Sequence, residues 1–67
     1  SQAKRLLNRF EKFKHVVLDF KNVELIGQAF ADEIFRIFVA AHPTIKISQI
    51  NAVESVSDMI NHVQSYR

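Results

Sequence analysis

Between two segments of helical period the chain places a short run, His15 to Phe20, reading His-Val-Val-Leu-Asp-Phe. Its β-branched and apolar residues alternate too little for a half-exposed strand. They suit a strand buried on both faces, as parallel strands are. This run dictates how the rest of the chain can be arranged. Before it, Ser1 to about Phe13 repeats Ala3, Leu6, Leu7, Phe10 and Phe13 at spacings of three and four, which predicts a helix with one apolar stripe. After it, Lys21 to Gly27 reads as a connector and Gln28 to His42 as a second helix. Pro43 ends that helix by biasing His42 away from helical angles.

Thr44 to Ile50 alternates, with Ile45, Ile47 and Gln49 on one face and Lys46, Ser48 and Ile50 on the other. This predicts a second strand with a more exposed side, nearer a sheet edge. The last helix is expected from about Ala52 to Ser65, with Asn51 as N-cap and Glu54 reaching back to it. Val53, Val56, Ile60 and Val63 form its core stripe. The order is α-β-α-β-α, an α/β class in which the connection between strands is long enough to make them parallel neighbours. Two parallel strands alone are not an independent sheet. Further strands are therefore expected before Ser1 or from another chain, and 1–67 is read as one domain incomplete at its N-terminus. The first residue is Ser1 and the only methionine is Met59, which also points to a piece of something longer.

Size sharpens this reading. A core built from 67 residues usually needs a staple, and with no cysteine there is neither a disulfide nor a thiolate metal cage to supply one. Absence of cysteine excludes disulfide-framework and cysteine zinc-finger classes and fits a reducing, cytoplasmic setting. The apolar share of 48% with one Gly and one Pro is globular rather than disordered, and no apolar run is long enough to span a membrane.

Charge is unevenly spread. Residues 1–14 hold Lys4, Arg5, Arg9, Lys12 and Lys14 against Glu11, a surplus of +4, whereas the remainder carries four basic and six acidic residues, −2. Arg5, Arg9 and Lys12 form a stripe on the first helix that suits a phosphate backbone, an acidic partner or plain solvent. Nucleic-acid binding would call for exposed aromatics beside it, and Phe10 and Phe13 are expected on the apolar side instead.

On the second helix, Phe30, Ala31, Ile37, Phe38 and Ala41 fall within about 60° of Ile34 at 100° per residue and should face the sheet. Phe35 and Val39 lie further round, widening the apolar arc to roughly 200°, more than a surface helix needs. Either a neighbouring helix of the same domain covers them, or they belong to a partner or dimer surface beside Arg36.

Catalytic chemistry finds little support. His15, His42 and His62 lack metal-ligand spacing, and no metal or cofactor is implied. Asp19, near the carboxyl end of the first strand, occupies a position where phosphoacceptor aspartates occur, but the additional carboxylates and lysine of such a site are not found. Capping the following turn is its simpler role. Asp32 and Glu33 point about 100° apart on a helix, and Arg36 stands at ion-pair spacing from Asp32. Gly27, just before the second helix, tolerates a tight turn and leaves the first helix amides open to an anion. No phosphate-binding loop or nucleophile constellation is present, so an enzyme is the disfavoured class.

The stretch VVLDFKNVELIGQAFADEIFRIF, residues 16–38, resembles the central segment of a STAS domain. A strand ending in Leu18-Asp19, the spaced pair Val23 and Ile26, and the turn Gly27-Gln28-Ala29 carry the likeness. Ser1-Gln2-Ala3 and IGQAFADEIFRIF are similar, more closely, to a bacterial and archaeal group called STAS-like domains of unknown function. The resemblance covers nearly the whole chain, and 27–34 is its most specific piece. It implies strands preceding Ser1 and a non-enzymatic role in protein–protein regulation, with a histidine-kinase-type ATPase or a transcription regulator as partner. In the anti-sigma antagonist branch a serine at the start of this helix is phosphorylated. Here Gly27-Gln28-Ala29 replaces Asp-Ser-Ser, so no hydroxyl is available for that switch.

The expected docking surface therefore comprises Gly27, Gln28, Asp32 and Arg36, with Phe35 and Val39 at its apolar margin. Arg5, Arg9 and Lys12 serve the alternative, a regulatory domain of a DNA-binding protein. A homodimer through an unpaired strand edge is a further expectation.

Overall fold

The structure, a computed structural model, describes residues 2–65. Helix α1 (Gln2–Phe10) buries Ala3, Leu7 and Phe10, the three-and-four spacing read from the sequence. It ends three residues before Phe13. The Phe13 amide closes a turn onto the Phe10 carbonyl at 3.0 Å, and the Lys14 carbonyl accepts from the Lys46 amide at 2.8 Å. The chain must leave the helix by then to join the sheet, and Phe10 already fills the deep position, edge-on to Phe38 at 5.9 Å. Phe13, expected in the core stripe, is instead 58% exposed.

Strands β1 (His15–Asp19) and β2 (Lys46–Ile50) are parallel neighbours in register from His15 opposite Lys46 to Asp19 opposite Ile50. Val16 and Leu18 of β1 and Ile47 of β2 pack against the helical core, with Phe20 buried beyond the strand end. The other face is open, and Val17 there is 50% exposed. Burial of β1 on both faces is thus not realised, because the core reaches only one side of the strand pair.

The middle helix covers 28–41 in three parts: α2 (Gln28–Asp32), a π-helical segment (Glu33–Phe38) and α3 (Val39–Ala41). A π turn closes one residue later than an α turn, so successive side chains rotate by less than 100°. The helix consequently buries Ala31, Ile34, Phe35 and Phe38 and turns Ile37 outward to 44% exposure. This corrects two expectations. The sheet-facing stripe does not extend to Ile37 and Ala41, which are exposed, and Phe35 is no margin of a docking surface: it is 3% exposed and lies against Phe20, ring centroids 6.4 Å apart.

Helix α4 (Glu54–Gln64) closes the core with Val56, Ile60 and Val63, all fully buried. Val53, expected in this stripe, stands at the N-cap position and is half exposed. Asn51 does not cap the helix. It takes left-handed angles (φ 57°), which asparagine tolerates, and its side chain turns back to β1. The core holds no buried polar side chain among the described residues.

Candidate functional site

Both strands end on the same side of the molecule, and the loop after β1 leads there into the middle helix. Asp19 organises this end. Its Oδ1 accepts from the Asn51 side-chain amide at 3.0 Å and from the Lys21 backbone amide at 2.9 Å, a turn in which Asn22 supplies the left-handed residue (φ 66°). Asp19 is therefore the turn-capping residue the sequence suggested, and it also ties the ends of β1 and β2 together.

The Asn51 hydrogen bond first, and the Lys21 amide after it, hold the Asp19 carboxyl below the ordinary carboxylate range. The contacts favour the charged form, so their contribution is complete above the unfolded pKa and is lost as pH falls through the lower folded one. That window lies below about pH 4. A thermal melt series across it should show the native protein losing stability faster toward acid than Asp19→Asn. Equal slopes would show that these bonds do not discriminate the charged form.

Beyond Asp19, Val23 is half-buried and Ile26 buried, and between them Leu25 projects outward, 72% exposed. The Ser55 hydroxyl donates to the Glu24 carbonyl, which sets this loop against the start of α4 and exposed Val53. Gly27 follows with extended angles (φ −72°, ψ 153°), and a Cβ built on it meets nothing within 4 Å. Neither backbone angle nor local space demands glycine here.

Gln28, Ala29, Asp32 and Arg36 line a shallow depression on the outer face of the middle helix. Arg36 grips Asp32 through two bonds, Nε to Oδ1 at 2.5 Å and Nη2 to Oδ2 at 2.8 Å. Through these bonds Arg36 lowers the Asp32 pKa. The pair is the i,i+4 ion pair expected from spacing, and it fixes the guanidinium plane against the helix. Val39 continues the exposed face.

The structure thus brings Gln28, Asp32 and Arg36 around one depression, leaves Gly27 and Val39 exposed before and after them in the chain, and removes Phe35 to the core. It adds Leu25, which sequence reasoning passed over. Its signal was an apolar residue in the connector that does not fit the Val23–Ile26 spacing. Arg5 and Arg9 are exposed on α1, and Lys12 is exposed in the turn after it. His42 stacks on Phe38 (4.2 Å, 21°), with Nδ1 3.2 Å from the Phe38 carbonyl and Nε2 3.5 Å from Glu11. His15 Nε2 lies 3.0 Å from the Ser48 hydroxyl. Both are structural contacts. Among the described residues no cluster of three or more His, Asp or Glu is placed to hold a metal ion, and no helix is long and apolar enough to cross a membrane.

A parallel strand pair backed by helices, with a helix starting beyond the carboxyl end of the first strand, is an α/β arrangement of STAS-like kind. The chain belongs to the family of STAS-like domains of unknown function (DUF4325), whose pattern it matches over residues 2–57. No curated protein and no solved structure matches it.

Proposed function

We propose that the chain is a non-enzymatic binding module of bacterial signalling or transcriptional regulation. It docks a protein partner through the loop at 25–27 and the outer face of the middle helix. Gly27 carries this reading. A glycine that neither its own backbone angles nor its surroundings require, beside a strongly exposed leucine, leaves room for close approach by another chain. The Arg36 guanidinium, held flat by Asp32, adds the residue type enriched at interface centres. The partner class that best fits is the one implied by the family resemblance, a histidine-kinase-type ATPase or a transcription regulator. Recognition then depends on the surface itself, because Gly27-Gln28-Ala29 offers no hydroxyl to phosphorylate.

Gly27→Gln in the full-length protein tests this. The new side chain has space and ordinary angles; the entropic gain from replacing glycine is offset by the loss of a favourable N-cap residue, so thermal stability should change little. Recovery of the partner from a lysate of the source organism, quantified against the unaltered bait, should fall at least tenfold. Undiminished recovery by a folded variant would place the docking surface elsewhere.

A further inference from the structure

At the amino ends of the strands, remote from Gly27, lies a second surface of different chemistry. Arg9 closes α1, the turn that follows exposes Lys12 and Lys14, and Lys46 opens β2 beside them, its amide bonded to the Lys14 carbonyl at 2.8 Å. Among the described residues none of these four cations is engaged in an ion pair, and Glu11, the one acid within this turn, faces His42. Between Lys12 and Lys14 in the chain stands Phe13, 58% exposed. A phenylalanine ring left in water among lysines costs the fold hydrophobic stabilisation that a burial elsewhere would recover.

We propose that Arg9, Lys12, Phe13, Lys14 and Lys46 form a binding site for single-stranded nucleic acid. The cations contact successive phosphates, and the Phe13 ring stacks on one unpaired base. Base–aromatic stacking needs a face freed from the duplex, which is why a single strand fits better than a double helix. An anionic membrane fits less well. Insertion there takes a broad apolar face, and the apolar face of α1 (Ala3, Leu7, Phe10) is already spent on the core, leaving one ring to insert. The inference does not depend on the docking surface at Gly27, since the two share no residue.

The test is binding of the full-length protein to labelled oligouridine and oligothymidine, to a duplex of equal length, and to phosphatidylserine–phosphatidylcholine vesicles. Either single strand should bind more tightly than the duplex. Four phosphate contacts give a slope of about −3 for log affinity against log salt. Phe13→Ala should weaken binding about tenfold with the slope unchanged, and Phe13→Trp should restore it. Lys12→Gln with Lys14→Gln should reduce the slope by about 1.4. The ring is exposed, so melting temperatures of the Phe13 variants should match the parent and the Trp variant guards against a folding artefact. No binding at low salt, indifference to Phe13→Ala in a folded protein, or preference for duplex or vesicles would each overturn the assignment.

Discussion

Phe35→Asp is expected to unfold the domain. The ring is almost wholly buried, lies against Phe20 and sits between core residues Ile34 and Phe38 on the middle helix. Removing a buried phenylalanine costs about 3–5 kcal/mol in lost transfer energy and cavity. A carboxylate in the same place adds several more, because among the described residues no buried polar side chain stands ready to bond it. The total stability of a chain this size is on the order of 3–10 kcal/mol. Circular dichroism in a urea titration should therefore show no cooperative transition for Phe35→Asp where the parent gives one. A parent-like transition midpoint would mean that the ring is not part of the core, and that the π-helical turn at Glu33–Phe38 is misplaced.

That π turn marks the boundary of what the residues disclose by pattern. Element order, the parallel pairing of His15–Asp19 with Lys46–Ile50, and the buried Val56–Ile60–Val63 stripe follow from periodicity, since each rests on a regular spacing. The face of the middle helix does not, because a rotation of 100° per residue assigns Ile37 to the inward stripe and leaves Phe35 outside it, for a neighbouring helix or a partner to cover. One wider turn reverses both, and apolar composition is the same either way. Phe13 departs from its stripe for a related reason. The spacing of the apolar stripe extends past Phe10, whereas the end of α1 is decided by the hydrogen bond that Lys14 must make to β2, a contact 32 residues away in sequence. Asn51 has the chemistry of an N-cap, yet its backbone is left-handed and its side-chain amide donates to Asp19 across the sheet, so the helix starts beyond it with Val53 at the cap. At the candidate site the polar spacing of Gln28, Asp32 and Arg36 was readable on one helix. The exposure of Leu25 is not readable there, because it depends on Val23 and Ile26 turning inward and leaving it outside.

Leu25→Asp is expected to do the opposite of Phe35→Asp, although both place a carboxylate on an apolar residue near the same helix. At 72% exposure Leu25 contributes little burial to the fold, so the change should shift stability by no more than about 0.5 kcal/mol. Its cost falls on the complex. Leucine is not an especially strong interface anchor, and truncating it would be a mild perturbation. Aspartate at that position, however, must be desolvated under the partner, and it stands directly beside Glu24 in the chain. A buried interfacial charge without its mate costs about 2–5 kcal/mol, which is roughly 30-fold or more in affinity. Arg36→Glu should weaken the same complex by a separate route, since it replaces a paired cation with an acid next to Asp32. The two variants together distinguish a docking surface from an isolated apolar residue. Loss of partner binding in both, with unchanged melting temperatures, locates the contact along the line from Leu25 to Arg36. Loss in Arg36→Glu alone would move it down the helix toward Val39 and leave the leucine a solvent-facing loop residue.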